Sequence, residues 1–253
     1  MTRRALITAG ANGIGLAMAQ GFVAAGYRVW VTDVDGAAVA ALPAAIKGSV
    51  VDVADEAAMA ALLGQIKADW GGLDVVCCNA GIKGPTAAVV DMPLDGWREC
   101  LAVNLDGAFL TAKHAIPLLQ RGAVMLFTSS TAGIYGFPYR SPYAAAKWAV
   151  IGLMKTLAME LGPQGIRVNA ILPGSVNGPR IDRVFADEAA AKGMTPDAVR
   201  RGYAEGTALQ SLVDASDIAN MAVFLASDGA RMVSGQTLTV DGFTINPDPK
   251  VGP

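Results

Sequence analysis

Little in this chain is reactive, aromatic or charged. Three cysteines and one histidine occur in 253 residues, and aromatic residues make up 6 % and charged residues 17 %. Cys77 and Cys78 adjoin inside an apolar run while Cys100 stands alone. That spacing matches neither a disulfide framework nor a metal site, so a reducing, cytoplasmic setting is expected. The one histidine, His114, falls in a helical stretch after Asn104 and reads as structural rather than catalytic. Twenty basic and 22 acidic side chains give a net charge of -2. Their even spread leaves no electrostatic footprint for nucleic acid or an anionic membrane. No run approaches the ~18 consecutive apolar residues of a membrane span. Arg3 and Arg4 before apolar residues faintly imitate a secretory signal, but glycines at 10, 13 and 15 break any hydrophobic region, and a first β-strand is expected instead. Low-complexity tails and internal repeats are lacking too. Small molecules or further copies of the chain are the expected partners.

What is abundant is apolar: 53 % of the residues, enough for a sheet buried on both faces. An α/β fold absorbs this length as one unit, so a single domain over 1–253 is expected. Apolar or β-branched runs at 5–8, 28–32, 49–52, 73–78, 123–129, 166–172 and 237–240 read as strands. Ala-rich stretches with helical period lie at 15–25, 55–68, 95–119, 142–161 and 215–226. Strand alternating with helix implies right-handed crossovers and a parallel sheet. Pro142 suits a first helical turn, and Gly162 with Pro163 a helix stop. An insertion at 180–206 breaks the rhythm with five basic and five acidic residues. It reads either as a solvated helical pair or as a lid over a ligand.

After the first strand comes Thr8-Ala9-Gly10-Ala11-Asn12-Gly13-Ile14-Gly15, directly before a helix. Glycines there let the backbone approach a pyrophosphate at the helix N-terminus, which makes Gly10, Asn12, Gly13, Ile14 and Gly15 candidate cofactor contacts. A Gly-rich turn without a ligand would look alike in isolation; the strand before and the helix after favour the phosphate. Asp33 ends the second strand 18 residues after Gly15 (33 − 15), near the ~20-residue offset of a carboxylate that binds an adenosine ribose. Alternatively, Asp33 merely opens the turn Asp33-Val34-Asp35-Gly36. As a ribose acceptor it would repel a 2′-phosphate. Val34 beside it and Asn12 in the loop supply no base, so NAD is preferred over NADP.

Tyr143 and Lys147 stand four apart in a predicted helix, on one face. An unperturbed phenol titrates near ~10, too high for an efficient base at neutrality, and an adjacent ammonium lowers it by stabilising phenolate. Ser130, 13 residues before Tyr143 at the end of the fifth strand, offers a hydroxyl to hold a substrate oxygen. Singly, each has a plainer reading: a surface tyrosine, a lysine lying along apolar surface, a turn serine.

With Ser130, Tyr143-Ala144-Ala145-Ala146-Lys147 and the glycine loop in place, the chain closely resembles the short-chain dehydrogenase/reductase family. Further matches run along nearly its whole length: Asp52-Val53, Cys78-Asn79-Ala80-Gly81, Asn104 with Gly107, Pro173-Gly174, Ser234-Gly235-Gln236 and Val240-Asp241-Gly242. The resemblance implies a doubly wound Rossmann fold, seven parallel strands in the order 3-2-1-4-5-6-7 with helices on both faces, and a site at the strands' carboxyl ends. It implies that Tyr143 is the acid/base, that Lys147 lowers its pKa and binds the nicotinamide ribose, and that Ser130 orients the substrate carbonyl. Asn104 would hold the water of a proton relay through its backbone carbonyl, or be simply a satisfied buried amide. Asn79 would brace the central strands and border the cofactor with Ala80 and Gly81. Asp52 and Val53 would contact adenine, and Pro173, Gly174 and Val176 would complete the cofactor site. A homotetramer is also implied, with 95–119 and 142–161 at one interface and the C-terminal strand region at another.

Two positions depart from the family pattern. Ala9 stands where the glycine series usually begins, which an alanine tolerates while φ stays negative. Gly178 stands where many relatives have a threonine near the nicotinamide carboxamide, leaving that contact to backbone or to the following segment. The expected activity is hydride transfer between NAD(H) and a secondary alcohol or carbonyl compound of polyol, sugar, cyclic alcohol or hydroxyacyl type. The specificity surface falls on 83–87, 134–140 and the insertion. Rival readings are an NADPH-dependent 3-oxoacyl reductase, for which Asp33 is the wrong chemistry, and a non-catalytic dinucleotide-binding protein, against which Ser130, Tyr143 and Lys147 argue.

Overall fold

The computed structural model describes residues 2–247. At its centre lies a seven-stranded parallel sheet in the order β3-β2-β1-β4-β5-β6-β7, the order that the resemblance implied. Its strands are β1 (Arg4–Thr8), β2 (Arg28–Asp33), β3 (Ile46–Val50), β4 (Leu73–Cys78), β5 (Leu119–Thr128), β6 (Arg167–Pro173) and β7 (Thr237–Val240). The helices are α1 (Gly13–Ala24), α2 (Gly36–Ala40), α3 (Glu56–Trp70), α4 (Leu94–Leu101), α5 (Gly107–Ala115), α6 (Ser141–Leu161), α7 (Pro179–Lys192), α8 (Pro196–Glu205) and α9 (Ala215–Ala226). The chain begins in the middle of the sheet, winds out to β3, then returns to place β4 against the other side of β1. That reversal opens a crevice at the carboxyl ends of β1 and β4.

The period-2 geometry of the strands sends alternate residues to opposite faces. Leu6, Val76, Met125 and Phe127 pack with α3, α5 and α6 on one face; Ile7, Val75, Cys77 and Leu126 pack with α1 and α9 on the other. Because helices cover both faces, β1 and β4 are apolar almost throughout. Each such Leu, Ile, Val, Phe or Met, taken fully out of water, contributes ~1.5–3 kcal/mol. Cys77, Cys78 and Cys100 are free and buried. Burial pushes the Cys77 thiol up to about 12, so it packs as an inert apolar group. No helix among the described residues is long and apolar enough to cross a membrane.

β4, β7 and α9 lie where the sequence pattern puts them; β5 begins early, at Leu119, and the larger departures lie elsewhere. The third strand runs earlier than 49–52: its register pairs Val29 with Ile46 and Asp33 with Val50. Val51, expected within that strand, instead turns onto the same core as Val53, which packs against Gly107 at the start of α5. The continuous helix expected at 95–119 is broken, with a π-helical turn at Ala102–Asp106 between α4 and α5 and a 3-10 turn at Ile116–Leu118 after them. The short helix α2 had no apolar periodicity to announce it; Asp35 caps it by accepting from the Ala37 and Ala38 amides. The insertion forms the pair α7 and α8, which share a small core of Phe185, Ala189 and Val199.

Ala9 does not meet the condition of negative φ. Its φ is 49°, in the left-handed region that costs an L-residue roughly 1–2 kcal/mol. A glycine would relieve that strain while losing roughly 0.4–1 kcal/mol to the greater freedom of the unfolded chain. Ala9→Gly is therefore expected to stabilise the protein by about 0.5–1 kcal/mol, raising Tm by roughly 1–4 °C in a thermal melt. A lowered Tm would contradict this.

Candidate active site

A polar staple holds the crevice open. Asn79 follows β4 and its Nδ2 donates to the carbonyls of Thr8 (3.1 Å) and Ala9 (3.2 Å), while its Oδ1 accepts from Thr128 Oγ1 (3.0 Å). Thr8 Oγ1 in turn accepts from the amides of Asn79 (2.9 Å) and Ala80 (3.1 Å). The ends of β1, β4 and β5 are thereby tied together, which is the bracing role expected of Asn79. A Cβ on Gly15 would lie 2.0 Å from the Ala9 carbonyl, and one on Gly10 2.5 Å from Val31 Cβ. Only glycine fits these approaches. Gly13 differs: its φ is +50° and a Cβ there would meet no atom within 4 Å, so this side of the loop is open.

The first turn of α1 carries neither a side-chain cap from Asn12 nor an acidic residue. By contrast, α3 is capped by Asp55 and α9 by a capping box on Asp214. An uncapped N-terminus presents free amides to an anion. Beside it, half-buried Asp33 accepts from the amides of Ala11 (3.1 Å) and Asp35 (3.2 Å), so the carboxylate both opens its turn and braces the loop. Each oxygen retains a lone pair for a further donor. Close glycines, open loop, uncapped helix and carboxylate together fit a dinucleotide. The other expected contacts follow the carboxyl ends of β3, β4 and β6. Asp52 is exposed and accepts from the Ala54 amide (2.9 Å), Val53 is buried, and Ala80 and Gly81 continue from Asn79. Pro173 ends β6, and Gly174 is pressed against Asp241, whose Cβ would be 2.8 Å from an added Cβ. Val176 bridges to Val213.

On the floor of the crevice Lys147 is 3 % exposed, and its Nζ donates to the Thr128 carbonyl (2.9 Å). One turn earlier on α6, the Tyr143 ring centroid lies 5.6 Å from Nζ. Burial pushes the Tyr143 phenol up. The charges of Lys147 and Arg180, the hydrogen bond from Ser130 and the charge of Arg140 together bring it below its ordinary value. Lys147 is itself lowered, first by burial and also by Arg180, against the pull of Tyr143. Ser130 Oγ accepts from the Ala132 amide (3.1 Å), an orientation that leaves its proton for the phenol or a substrate oxygen. Asn104 completes the group from the π-helical turn. Its Nδ2 donates to the carbonyls of Ile82 (3.0 Å) and Cys100 (2.8 Å), and its buried Oδ1 has no partner among the described residues. A Cβ on Gly81 would lie 2.5 Å from Asn104 Oδ1 and 3.2 Å from Lys147 Nζ, so the two side chains face one another across Gly81.

Ser130, Tyr143, Lys147 and Asn104 are thus brought together, and His114 lies apart from them beside Glu56 (3.4 Å). Gly178 has φ 140°, a backbone conformation that a threonine would avoid, so its departure is built into the chain's path. Two arginines beside the site lie at the ends of two expected specificity segments, 134–140 and the insertion, where the sequence pattern singles out neither. Arg140, three residues before Tyr143, lies with its guanidinium carbon 4.9 Å from the Tyr143 ring centroid; the i,i+3 spacing was the available signal. Arg180, at the start of α7, donates from Nη1 to the Gly81 carbonyl (3.1 Å), and nothing local announces that reach. The three segments of the expected specificity surface do converge. Ala87 bonds Tyr139 (3.0 Å), Lys83 pairs with Asp187, and a cleft is lined by Thr86, Phe137, Arg140, Val184 and Tyr203.

The sheet and its cradle define a dinucleotide-binding α/β protein. Residues 8–243 match the family described as enoyl-(acyl carrier protein) reductase. The chain is similar to 2-keto-3-deoxy-L-fuconate dehydrogenase of Xanthomonas campestris pv. campestris, 35 % identical over 246 residues, covering 95 % of this chain and 79 % of that protein. It is likewise similar to trans-4-hydroxycyclohexanecarboxylate dehydrogenase of Sinomonas cyclohexanicum, 35 % identical with 94 % and 91 % covered. Among solved structures, NAD+-bound xylitol dehydrogenase superposes with a TM-score of 0.91 at 27 % identity, covering 95 % of this chain and 98 % of that one. The chain belongs to the short-chain dehydrogenase/reductase family. It is an oxidoreductase that acts on CH–OH groups with a nicotinamide cofactor.

Proposed function

We propose that the protein interconverts a small secondary alcohol and its carbonyl counterpart using NAD(H), with Tyr143 as acid/base. The observation that carries this reading is a buried lysine whose Nζ lies 5.6 Å from the ring centroid of a tyrosine one helical turn away, where its charge, with Arg180, Ser130 and Arg140, outweighs burial and brings the phenol below its ordinary value. Nicotinamide, when bound, accepts or donates the hydride at the carbinol carbon. The chain's own residues manage the proton. In oxidation the Tyr143 phenolate takes the hydroxyl proton, Lys147 stabilises the negative oxygen beforehand, and Ser130 holds the substrate oxygen within reach. In reduction Tyr143 returns the proton to the forming alkoxide. Asn104 would conduct protons onward through a water at its widened turn; π-helical turns occur frequently at functional sites.

Gly10, Asn12, Gly13, Ile14 and Gly15 would hold the pyrophosphate and Asp33 the adenosine ribose, with Asp52 and Val53 near adenine. Asn79, Ala80, Gly81, Lys147, Pro173, Gly174 and Val176 would line the nicotinamide half. Asp33 favours NAD by repelling a 2′-phosphate, which also argues against an NADPH-dependent 3-oxoacyl reductase. The names of the relatives, covering a keto-deoxy sugar acid, a cyclic hydroxy acid and a polyol, support a small oxygenated substrate. We read 1–253 as one catalytic domain and 180–206 as its substrate loop, working in the cytoplasm, where buried free thiols stay reduced. Phe109 on α5 and Trp148 on α6 are exposed (47 % and 53 %) and support the homotetramer, whereas Ile151 and Leu153 pack on the core of their own subunit.

Tyr143→Phe is expected to lower kcat by at least about 100-fold with a far smaller change in NAD affinity, as for a lost general acid/base. Wild-type turnover in that variant would remove Tyr143 from the mechanism. Asp33→Ala should narrow the preference for NAD over NADP, read as the ratio of kcat/KM values for the two cofactors. A ratio indifferent to Asp33 would refute its assignment to the ribose.

A further inference from the structure

We propose that the substrate is an anionic alcohol whose oxyanion, a carboxylate or a phosphate, is held by Arg140 and Arg180. The inference rests on the reading of Tyr143 and Lys147 as the reaction centre. Arg140 is half-buried and lies over the Tyr143 ring, yet its Nε is shielded from water with no hydrogen-bond partner among the described residues. A guanidinium N–H left so is costly unless a ligand accepts it. Arg180, from the start of α7, acts on the same Tyr143 phenol. Its hydrogen bond to the Gly81 carbonyl sets it beside the glycine that separates Asn104 from Lys147, and that bond uses one of five N–H donors.

The surrounding carboxylates do not neutralise these two arginines. Asp187 is paired with Lys83, Asp182 with Arg200 (3.3 Å), and Glu188 with Lys192 (2.6 Å) and the Tyr203 hydroxyl (2.7 Å). Neither Arg140 nor Arg180 has an ion pair among the described residues. With Lys147, three cations therefore converge on one phenol. Both arginines also act electrostatically on Tyr143 and on Cys100, as groups close to the reaction centre must. Such like charges repel in a partly desolvated crevice, and a bound oxyanion offsets the repulsion while using the guanidinium forks. The anion sits next to Tyr143, so the oxyanion and the reacting carbinol belong to one small molecule.

The test uses full-length protein saturated with NADH or NAD and the probes 3-hydroxybutyrate, 4-hydroxycyclohexanecarboxylate, their methyl esters, glycerol 3-phosphate and glycerol. Binding is read as a ligand-induced rise in Tm and turnover as kcat/KM. The expected result is a preference of roughly 100-fold for at least one anionic probe over its neutral partner, the scale of paired charge-assisted hydrogen bonds. Acid over ester identifies a carboxylate, and glycerol 3-phosphate over glycerol a phosphate. Arg140→Gln and Arg180→Gln should each shrink that ratio at least about tenfold, mainly through KM. Because a changed Tyr143 pKa affects anionic and neutral probes alike, the ratio isolates recognition of the anion. Neutral partners equal to or better than the anions, equal losses on both, no binding by any anion, or a loss confined to NADH affinity would each overturn the proposal. If anions bind in an arginine-dependent way but no alcohol is oxidised, the anion site stands and the dehydrogenase reading falls.

Discussion

Lys147 is 3 % exposed, and burial disfavours its charged ammonium. The protein keeps it in place with the Thr128 carbonyl at the end of β5 and with a tyrosine whose ionised form is the natural counter-charge. Each of the two groups makes the other's charged form more favourable, so their titration belongs to the pair. Other features follow from that constraint. Thr128 must end its strand at the crevice, Gly81 must lack a side chain so that Lys147 and Asn104 can face one another, and α6 must present its fourth-residue spacing inward.

The sheet satisfies these demands because a parallel order ends every strand on one side, and the winding reversal between β1 and β4 leaves room there. Asn79 and Thr8 then fix the relative heights of β1, β4 and β5 through the five hydrogen bonds already described, so the dinucleotide cradle and the lysine anchor share one staple. The insertion closes the other wall. The Lys83–Asp187 pair and the Arg180–Gly81 bond fasten α7 to the loop after β4, which brings the insertion's charged side chains close to Tyr143 and Lys147.

Much of this was legible in the sequence because its causes are local. Glycines in a strand-to-helix turn, a tyrosine and lysine four apart, and strands buried on both faces all follow from spacing and residue type. The misreadings came where tertiary contacts override local pattern. Val51 looks like a strand residue but turns onto the core, since the pairing of β3 with β2 ends at Val50. The break in 95–119 leaves the apolar periodicity nearly intact, so the π-helical turn that positions Asn104 is hidden. Ala9 and Gly178 show the limit at the backbone level, because neither residue type declares its φ. Arg140 and Arg180 show it at the site: what they face is set by folding two distant segments over one tyrosine.

The central claim is that Tyr143 ionises more readily than an ordinary phenol because of the cations around it. An ultraviolet difference titration of the wild-type protein against Tyr143→Phe isolates that one phenol without needing a substrate. One additional tyrosinate appearing below the ordinary phenol pKa of ~10 is the predicted result. A difference spectrum that stays flat until pH ~10 or higher would contradict the account.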